Sequence, residues 1–404
     1  MGHYENPLLF NDQIKEPYEA LADLRAKAPI YYCHQLKGWV ITRYRDSTQL
    51  FANPKVIAGN LTEQVEAQLD GLELGIVSDY LRIRNEMMLH KDGDAHLRLR
   101  KSLNPFFAKN QIVQLSPIVS SALKETISEI SDKKEWDFAT EFAEPFSTRV
   151  IAGLFGVPEA DRSAFQKASD DVSRFFGTTM GDIEHDALIA NQAILFLENY
   201  FYRLVDKKTE EPGNDLISSL LKGRDRSDLT LEEMIAQCIL ILMAGHFTVI
   251  DQLCNSLFVF SRHELIDYLR SHPELLPDAI EESIRLDSGV LFMGRTVKED
   301  FYHENCLFKE EDSLFLGLGA CNHDPEAFPN PDTFQLKRRG PRHLGFGFSQ
   351  HQCLGAELGR LEILEAFTAL FKEFPTLNIV DSDVQRKAES LFFRGFYSLP
   401  ISTV

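Results

Sequence analysis

The chain has 404 residues, 44% of them hydrophobic and 25% charged, which is the composition of a soluble globular protein long enough to bury a large core. Its formal net charge of −19 argues against a nucleic-acid partner. The six cysteines are scattered with no CxxC pair, which argues against a zinc ribbon, a thioredoxin-type site or a disulfide framework.

From the N-terminus, MGHYENPLLFNDQIKEPYEALADLRAK carries neither the apolar core of a signal peptide nor a membrane anchor, so a cytoplasmic protein with no membrane partner is expected. HLRLRK (96–101) and KRRGPRH (337–343) are basic clusters in an otherwise acidic chain. Such clusters are ordinarily solvated surface, and form a docking patch only if they meet in space. Apolar residues at three- and four-residue spacing predict helices over ALKETISEISDKK (122–134), HDALIANQAILFLENYFYRLVDKK (185–208) and ELIDYLRSHPELL (264–276).

One helix, about 230–260, stands apart. Thr230 and Glu233 have the spacing of a capping box, in which each side chain satisfies the other's free amide. The middle of the helix is apolar on every face and should run through the centre of the fold, while its longest apolar stretch, MIAQCILILMAG (234–245), is too short to span a bilayer. Within it lies AGHFT (244–248), where Gly245 costs about 1 kcal/mol relative to alanine. Either that glycine is an accident of packing, or the helix is deformed there to make room for something.

EESIR (281–285) sets Glu282 and Arg285 three apart on one helical face, which alone reads as a surface ion pair worth under about 1 kcal/mol. RTVKEDFYH (295–303) and SLFLGLG (313–319) alternate and predict strands, and LFFRGFYSLPI (391–401) predicts a further strand pair. No repeat or linker divides the chain, so the expected fold class is mainly α with small β-sheets, in one domain over 1–404.

The chemistry concentrates in HLGFGFSQHQCLGAELGRLE (343–362), where Cys353 follows a glycine- and phenylalanine-rich loop and precedes an amphipathic helix, LGAELGRLEILEAFTALFKEF (354–374). A helix N-terminus favours an anion and should lower the thiol's pKa. A thiolate there is a nucleophile with His351 as base, or a metal ligand whose loop lets a flat cofactor approach the backbone. The plain alternative is a buried, inert cysteine.

FGFSQHQCLG resembles the cysteine-ligand loop of the cytochromes P450, the haem-thiolate monooxygenases, through Phe346, Gly347, His351, Cys353 and Gly355, with Ser349 where the second glycine is expected. AGHFT resembles that family's oxygen-activation segment, EESIR its E-x-x-R pair, ACNHDPEAFPNPDTFQLKR (320–338) its meander, and HLRLRK its H-x-x-x-R segment. The resemblance covers nearly the whole chain in the right order.

It implies the cytochrome P450 fold and haem b (iron protoporphyrin IX), with dioxygen as co-substrate and NAD(P)H used indirectly through redox partners. Cys353 is implied as the metal ligand, with Phe346, Gly347, His351 and Gly355 around it and Ala244 and Gly245 also on the cofactor. His96, Arg100, Arg295 and His343, with His351, are implied at the haem propionates. Thr248 is implied as catalytic, donating toward dioxygen. Phe247 stands where the family has an acid and cannot relay a proton, so Asp251, three residues on, is the expected substitute, with His246 or a substrate hydroxyl as the alternatives. Glu282, Arg285 and Arg338 are implied as a structural network behind the cysteine loop.

The implied reaction inserts one oxygen atom into a hydrophobic small molecule, with polyketide and peptide natural products the classes suggested by AGHFTVIDQL and a carrier-protein-bound substrate included. The substrate pocket is expected from 60–90, 170–200, Met243 to Phe247, Val290 to Met293 and Leu391 to Phe393. No reductase segment follows the last strands, so ferredoxin with ferredoxin reductase, or flavodoxin, is the expected electron donor to a monomer. Phe247 and Ser349 leave two alternatives: a peroxide-using peroxygenase of the same fold, and a non-catalytic haem-binding recruitment module.

Overall fold

Thr230 caps the helix on which the fold is organised. Its hydroxyl oxygen accepts from the Glu233 N–H at 3.1 Å, and the Glu233 carboxylate accepts from the Thr230 N–H at 3.0 Å, completing the capping box. The helix then runs unbroken over Leu231–Arg262 in the computed structural model, which describes residues 16–59, 74–173, 175, 183–227, 229–388 and 390–404. By length and composition alone it would cross a membrane, but 78% of its most apolar window is buried inside the protein. It is a core helix.

In chain order the helices of eight or more residues are α1 Tyr18–Lys27, α2 Tyr44–Ala52, α3 Ser78–Asn85, α4 Gly93–Phe107, α5 Ser116–Ile130, α6 Glu144–Phe155, α7 Arg162–Ser173, α8 Ile183–Glu210, α9 Leu216–Ser227, α10 Leu231–Arg262, α11 Leu276–Leu286 and α12 Ala356–Glu373. Helices α6, α7, α8, α11 and α12 pack on α10. ELIDYLRSHPELL is not one helix. The chain forms Ile266–Ser271, then a 3₁₀ turn over Pro273–Leu275, before α11 begins. Pro273 has no amide to continue the first helix, whereas Pro277 falls in the first turn of α11, where that amide is not needed.

Strands β1 Ile30–Cys33, β2 Gly38–Ile41, β3 Val56–Ile57, β4 Phe292–Val297 and β5 Ser313–Gly317 form a sheet ordered β1-β2-β5-β4-β3. The β2–β5 pair is parallel and the others are antiparallel. The alternation of RTVKEDFYH and SLFLGLG thus reports real strands. The tail differs from expectation. Phe396–Ser398 pairs with Gln385–Arg386, while Pro400–Ser402 lies between Glu135–Asp137 and Asn378–Ile379. With one residue between them the two tail strands cannot form a hairpin, and each joins a different sheet.

Candidate active site

The central helix opens where AGHFT was singled out. Ala244, Gly245, Phe247 and Thr248 line a cavity of about 670 Å³, while Met243 and His246 are buried against the core. The helix does not break there: Thr248 Oγ1 donates back to the Ala244 carbonyl at 2.6 Å. Phe247 meets Phe393 edge-on, ring centres 4.8 Å apart, so an aromatic pair occupies the wall where an acid was expected. Val290, Phe292, Met293 and Phe392 complete that wall, and Met88, Leu89, Phe175 and Ile183 extend it. Leu291 and Leu391 turn into the core instead. The expected pocket segments include 60–73, 174 and 176–182, which lie outside the described residues.

Cys353 lines the same cavity with Phe346, Gly347 and Gly355. Its loop is closed by Gly347 N–H donating to the Leu344 carbonyl at 2.8 Å and Cys353 N–H donating to the Phe346 carbonyl at 2.9 Å. Gly347 sits at φ 68° and Ser349 at φ 62°, so the turn keeps a left-handed conformation even where serine replaces glycine. Ser349→Gly should therefore stabilise the protein by up to about 1 kcal/mol in thermal unfolding, and Ser349→Val should destabilise it. The thiol departs from expectation. Burial pushes its pKa up, and the Gly355 N–H, Arg100, Arg360 and Arg342 only partly oppose this. A helix terminus alone does not make the thiolate here; coordination to a metal would.

His96, Arg100, Arg295 and His351 are among the basic side chains that line this cavity, with Lys37, Arg84 and His90. His96 and His351 face each other with ring centres 4.1 Å apart. Burial, then His351 and Arg100, push the His96 pKa down to about 4, and burial lowers that of Arg295 to about 10. Among the described residues neither Arg100 nor Arg295 forms an ion pair: Arg100 donates to the Gln350 carbonyl at 2.9 Å and Arg295 to the Gly294 carbonyl at 2.7 Å. Both ring nitrogens of buried His96 lack a hydrogen-bond partner. Buried donors left like this match a ligand with more than one carboxylate. A Cβ added at Gly355 or Gly359 would meet nothing within 4 Å, so this wall also leaves room for a flat group. The residues present fit haem.

Two expected residues are placed elsewhere. His343 does not line the cavity: its Nε2 lies 3.1 Å from Glu281, which also holds Arg360, and its Nδ1 accepts from the Gly345 N–H. Asp251 is buried off the cavity and paired with Lys387 at 2.7 Å, against a backbone that only Gly395 permits, since a Cβ there would fall 1.9 Å from the carboxylate.

Glu282, Arg285 and Arg338 do come together. Arg285 grips both Glu282 oxygens at 2.8 Å and donates to the Asn322 carbonyl, while Arg338 Nε reaches Glu282 at 2.9 Å. The pair read locally as a surface bridge is buried, and its third member comes from the meander.

Glu362, on α12, was not anticipated. It is 3% exposed, lines the cavity, and has one carboxyl oxygen without a partner. It is the one carboxylic acid among the described cavity-lining residues. The signal was an acid in the buried stripe of an otherwise ordinary amphipathic helix. Burial raises its pKa from 4.5 to about 8. The folded protein then holds a proton that the unfolded chain releases, so stability should fall as pH rises between those values. Glu362→Gln should remove that slope from pH-dependent denaturant titrations.

Comparison with known proteins gives a consistent result. A family model described as "Cytochrome P450" matches residues 77–397. The chain is 31% identical over 395 residues to a biotin biosynthesis cytochrome P450 of Bacillus subtilis (strain 168), covering 96% of each protein. It is 31% identical over 411 residues to the polyketide biosynthesis cytochrome P450 PksS of the same organism, covering 98% of each. A crystal structure of P450BioI in complex with hexadec-9Z-enoic acid ligated acyl carrier protein superposes with a TM-score of 0.88 at 30% identity, covering 97% of this chain and all of that one.

Proposed function

The chain belongs to the cytochrome P450 family of haem-thiolate monooxygenases, and from that premise we propose that it inserts one oxygen atom of dioxygen into an apolar acyl or polyketide chain held in the cavity. The observation that carries this reading is the convergence of Cys353, the unpartnered ring nitrogens of His96, the side chains of Arg100, Arg295 and His351, and the opened face of α10 on one largely apolar space. Haem b, when bound, supplies the iron at which dioxygen is reduced with two electrons and two protons.

The chain's own groups do the rest. Cys353 holds the iron through its sulfur, and His96, Arg100, Arg295 and His351 neutralise the propionates. Phe346, Gly347, Gly355, Ala244 and Gly245 shape the cofactor's slot. Thr248 must turn its hydroxyl from the Ala244 carbonyl to donate into the cavity. Positioned acid–base groups contribute about 10²- to 10⁴-fold, so Thr248→Ala should lose coupling of NAD(P)H use to product. Asp251, committed to Lys387, has no such role. Asp251→Asn should lower the melting temperature and leave coupling at the wild-type level.

Similarity to relatives named for polyketide and biotin biosynthesis, one of them in complex with an acyl carrier protein, supports a long apolar substrate delivered on a carrier. Phe247 favours one other reading, a peroxygenase that needs no proton relay. Electrons are assigned to a separate ferredoxin or flavodoxin in the cytoplasm. Arg100 and Arg342 both act on Cys353 electrostatically, which supports a donor docking on the cysteine side, although Arg98 and Arg338 are engaged by Glu233 and Glu282. The test is a panel of fatty acids, acyl carrier conjugates and macrolides, scored by the Soret shift of the haem-loaded protein and then by product formation with a surrogate ferredoxin system. Acyl or polyketide ligands should shift the band; a protein that binds none of them has a different substrate class.

A further inference from the structure

Arg84 places a cation in the wall of a largely apolar cavity. It lies near the end of α3, is 4% exposed, and lines the same space as Thr248. Its Nη1 donates to the Tyr80 hydroxyl, 2.6 Å away, and that hydroxyl donates its own proton to the Phe175 carbonyl at 2.7 Å. Its Nη2 lies 2.9 Å from His90 Nε2. A guanidinium can only donate, so Nε2 accepts, and the neutral imidazole then carries its proton on Nδ1. Burial, followed by the positive charges of Arg84, His351, Arg295 and Lys91, holds the His90 pKa well below the usual histidine value, so the ring stays neutral. His90 also lines the cavity, and among the described residues its Nδ1–H meets no hydrogen-bond partner.

Donor direction and charge together indicate what this wall is built to meet. The charged groups that act most on His90 are all basic, so the potential beside it is positive. His351 and Arg295 are assigned above to the haem propionates; Arg84 and His90 are not among those groups. A neutral hydroxyl or ketone would accept from Nδ1–H and do nothing for the field. A carboxylate answers both, accepting from the imidazole with one oxygen and facing the guanidinium with its charge.

We propose that Arg84 and His90 hold a carboxylate carried by the substrate, so that its apolar chain crosses the cavity with the acid end on this wall. The substrate is then an acyl chain with a free acid group, and a chain delivered on a carrier bears that acid at its far end. This rests on the reading of the cavity as the substrate site. The same chemistry could be supplied by a haem propionate, and the experiment separates the two sources.

Haem-loaded protein is titrated with decanoic acid, methyl decanoate and 1-decanol near neutral pH, where the acid is ionised, and Kd is read from the Soret shift. Wild type should bind the acid about ten- to hundredfold more tightly than the ester or the alcohol, the range for hydrogen bonds to a charged group. Arg84→Gln should bring the acid down to the alcohol's affinity, with haem retention and alcohol binding kept. Arg84→Lys, which keeps the charge, should retain part of the preference. If Arg84→Gln does not fold, the wild-type ligand series and Arg84→Lys decide. A wild type that binds acid and alcohol alike, or an Arg84→Gln protein that keeps the preference, would overturn the site. An Arg84→Gln protein that loses haem, or that weakens all three ligands by one factor, would give the carboxylate to a propionate and also overturn it. If none of the three binds, the cavity reading falls and takes this proposal with it.

Discussion

Replacing Cys353 by serine should abolish the thiolate signature of the reduced carbon-monoxide complex, and with it all product formation. Cys353 is the only thiol on the cavity wall among the described residues, and a thiolate ligand favours cleavage of the O–O bond through its electron density. Burial raises the thiol's pKa in the protein alone, so a bound metal would be what takes the proton's place. Serine keeps the size and the loop's hydrogen bonds, which run through backbone groups, so the variant should fold and melt close to wild type. An unchanged carbon-monoxide spectrum in Cys353→Ser would remove the assigned ligand.

Arg285→Ala should cost about 3–5 kcal/mol, the range for breaking a buried ion pair by removing one partner. The change strands Glu282, which is 4% exposed, with Arg338 and the Gln335 amide as its remaining partners, and it leaves the Asn322 carbonyl without its donor. Total stabilities of about 5–15 kcal/mol make this a large fraction. Thermal melting and haem retention read it directly. Arg285→Lys should fail to rescue, because an ammonium cannot make the two parallel bonds to Glu282 and still reach Asn322. A fully haem-loaded Arg285→Ala protein with wild-type melting would contradict the structural role.

Much of this was legible because it rests on local rules. The Thr230–Glu233 box, the helices over 122–134 and 185–208 and the two central strands follow from spacing and alternation and are found there, whereas Pro273 breaks the helix expected over 264–276. What escaped needed tertiary information. Glu282 and Arg285 read alone as a surface bridge; only the fold brings Arg338 from the meander and buries all three. Asp251 has the right helical offset from Thr248, but a strand-side lysine, Lys387, captures it from outside the helix. His343 lies in the right loop, yet Glu281 draws it away from the cavity. Glu362 showed in the sequence only as an acid in the buried stripe of α12; that one of its oxygens lacks a partner is a property of the packed protein. Ser349 was legible as a departure, and the backbone shows that the turn absorbs it as strain rather than a change of shape.

The central claim is that this cavity splits dioxygen and places one of its atoms on an apolar substrate. Oxygen-18 labelling tests it most directly, using the haem-loaded protein, a surrogate ferredoxin system, NAD(P)H and a ligand that shifts the Soret band. The account predicts product carrying one labelled atom from labelled dioxygen, strictly dependent on the electron donors. Unlabelled product under labelled dioxygen, or oxidation supported by hydrogen peroxide alone and never by the ferredoxin system, would contradict it.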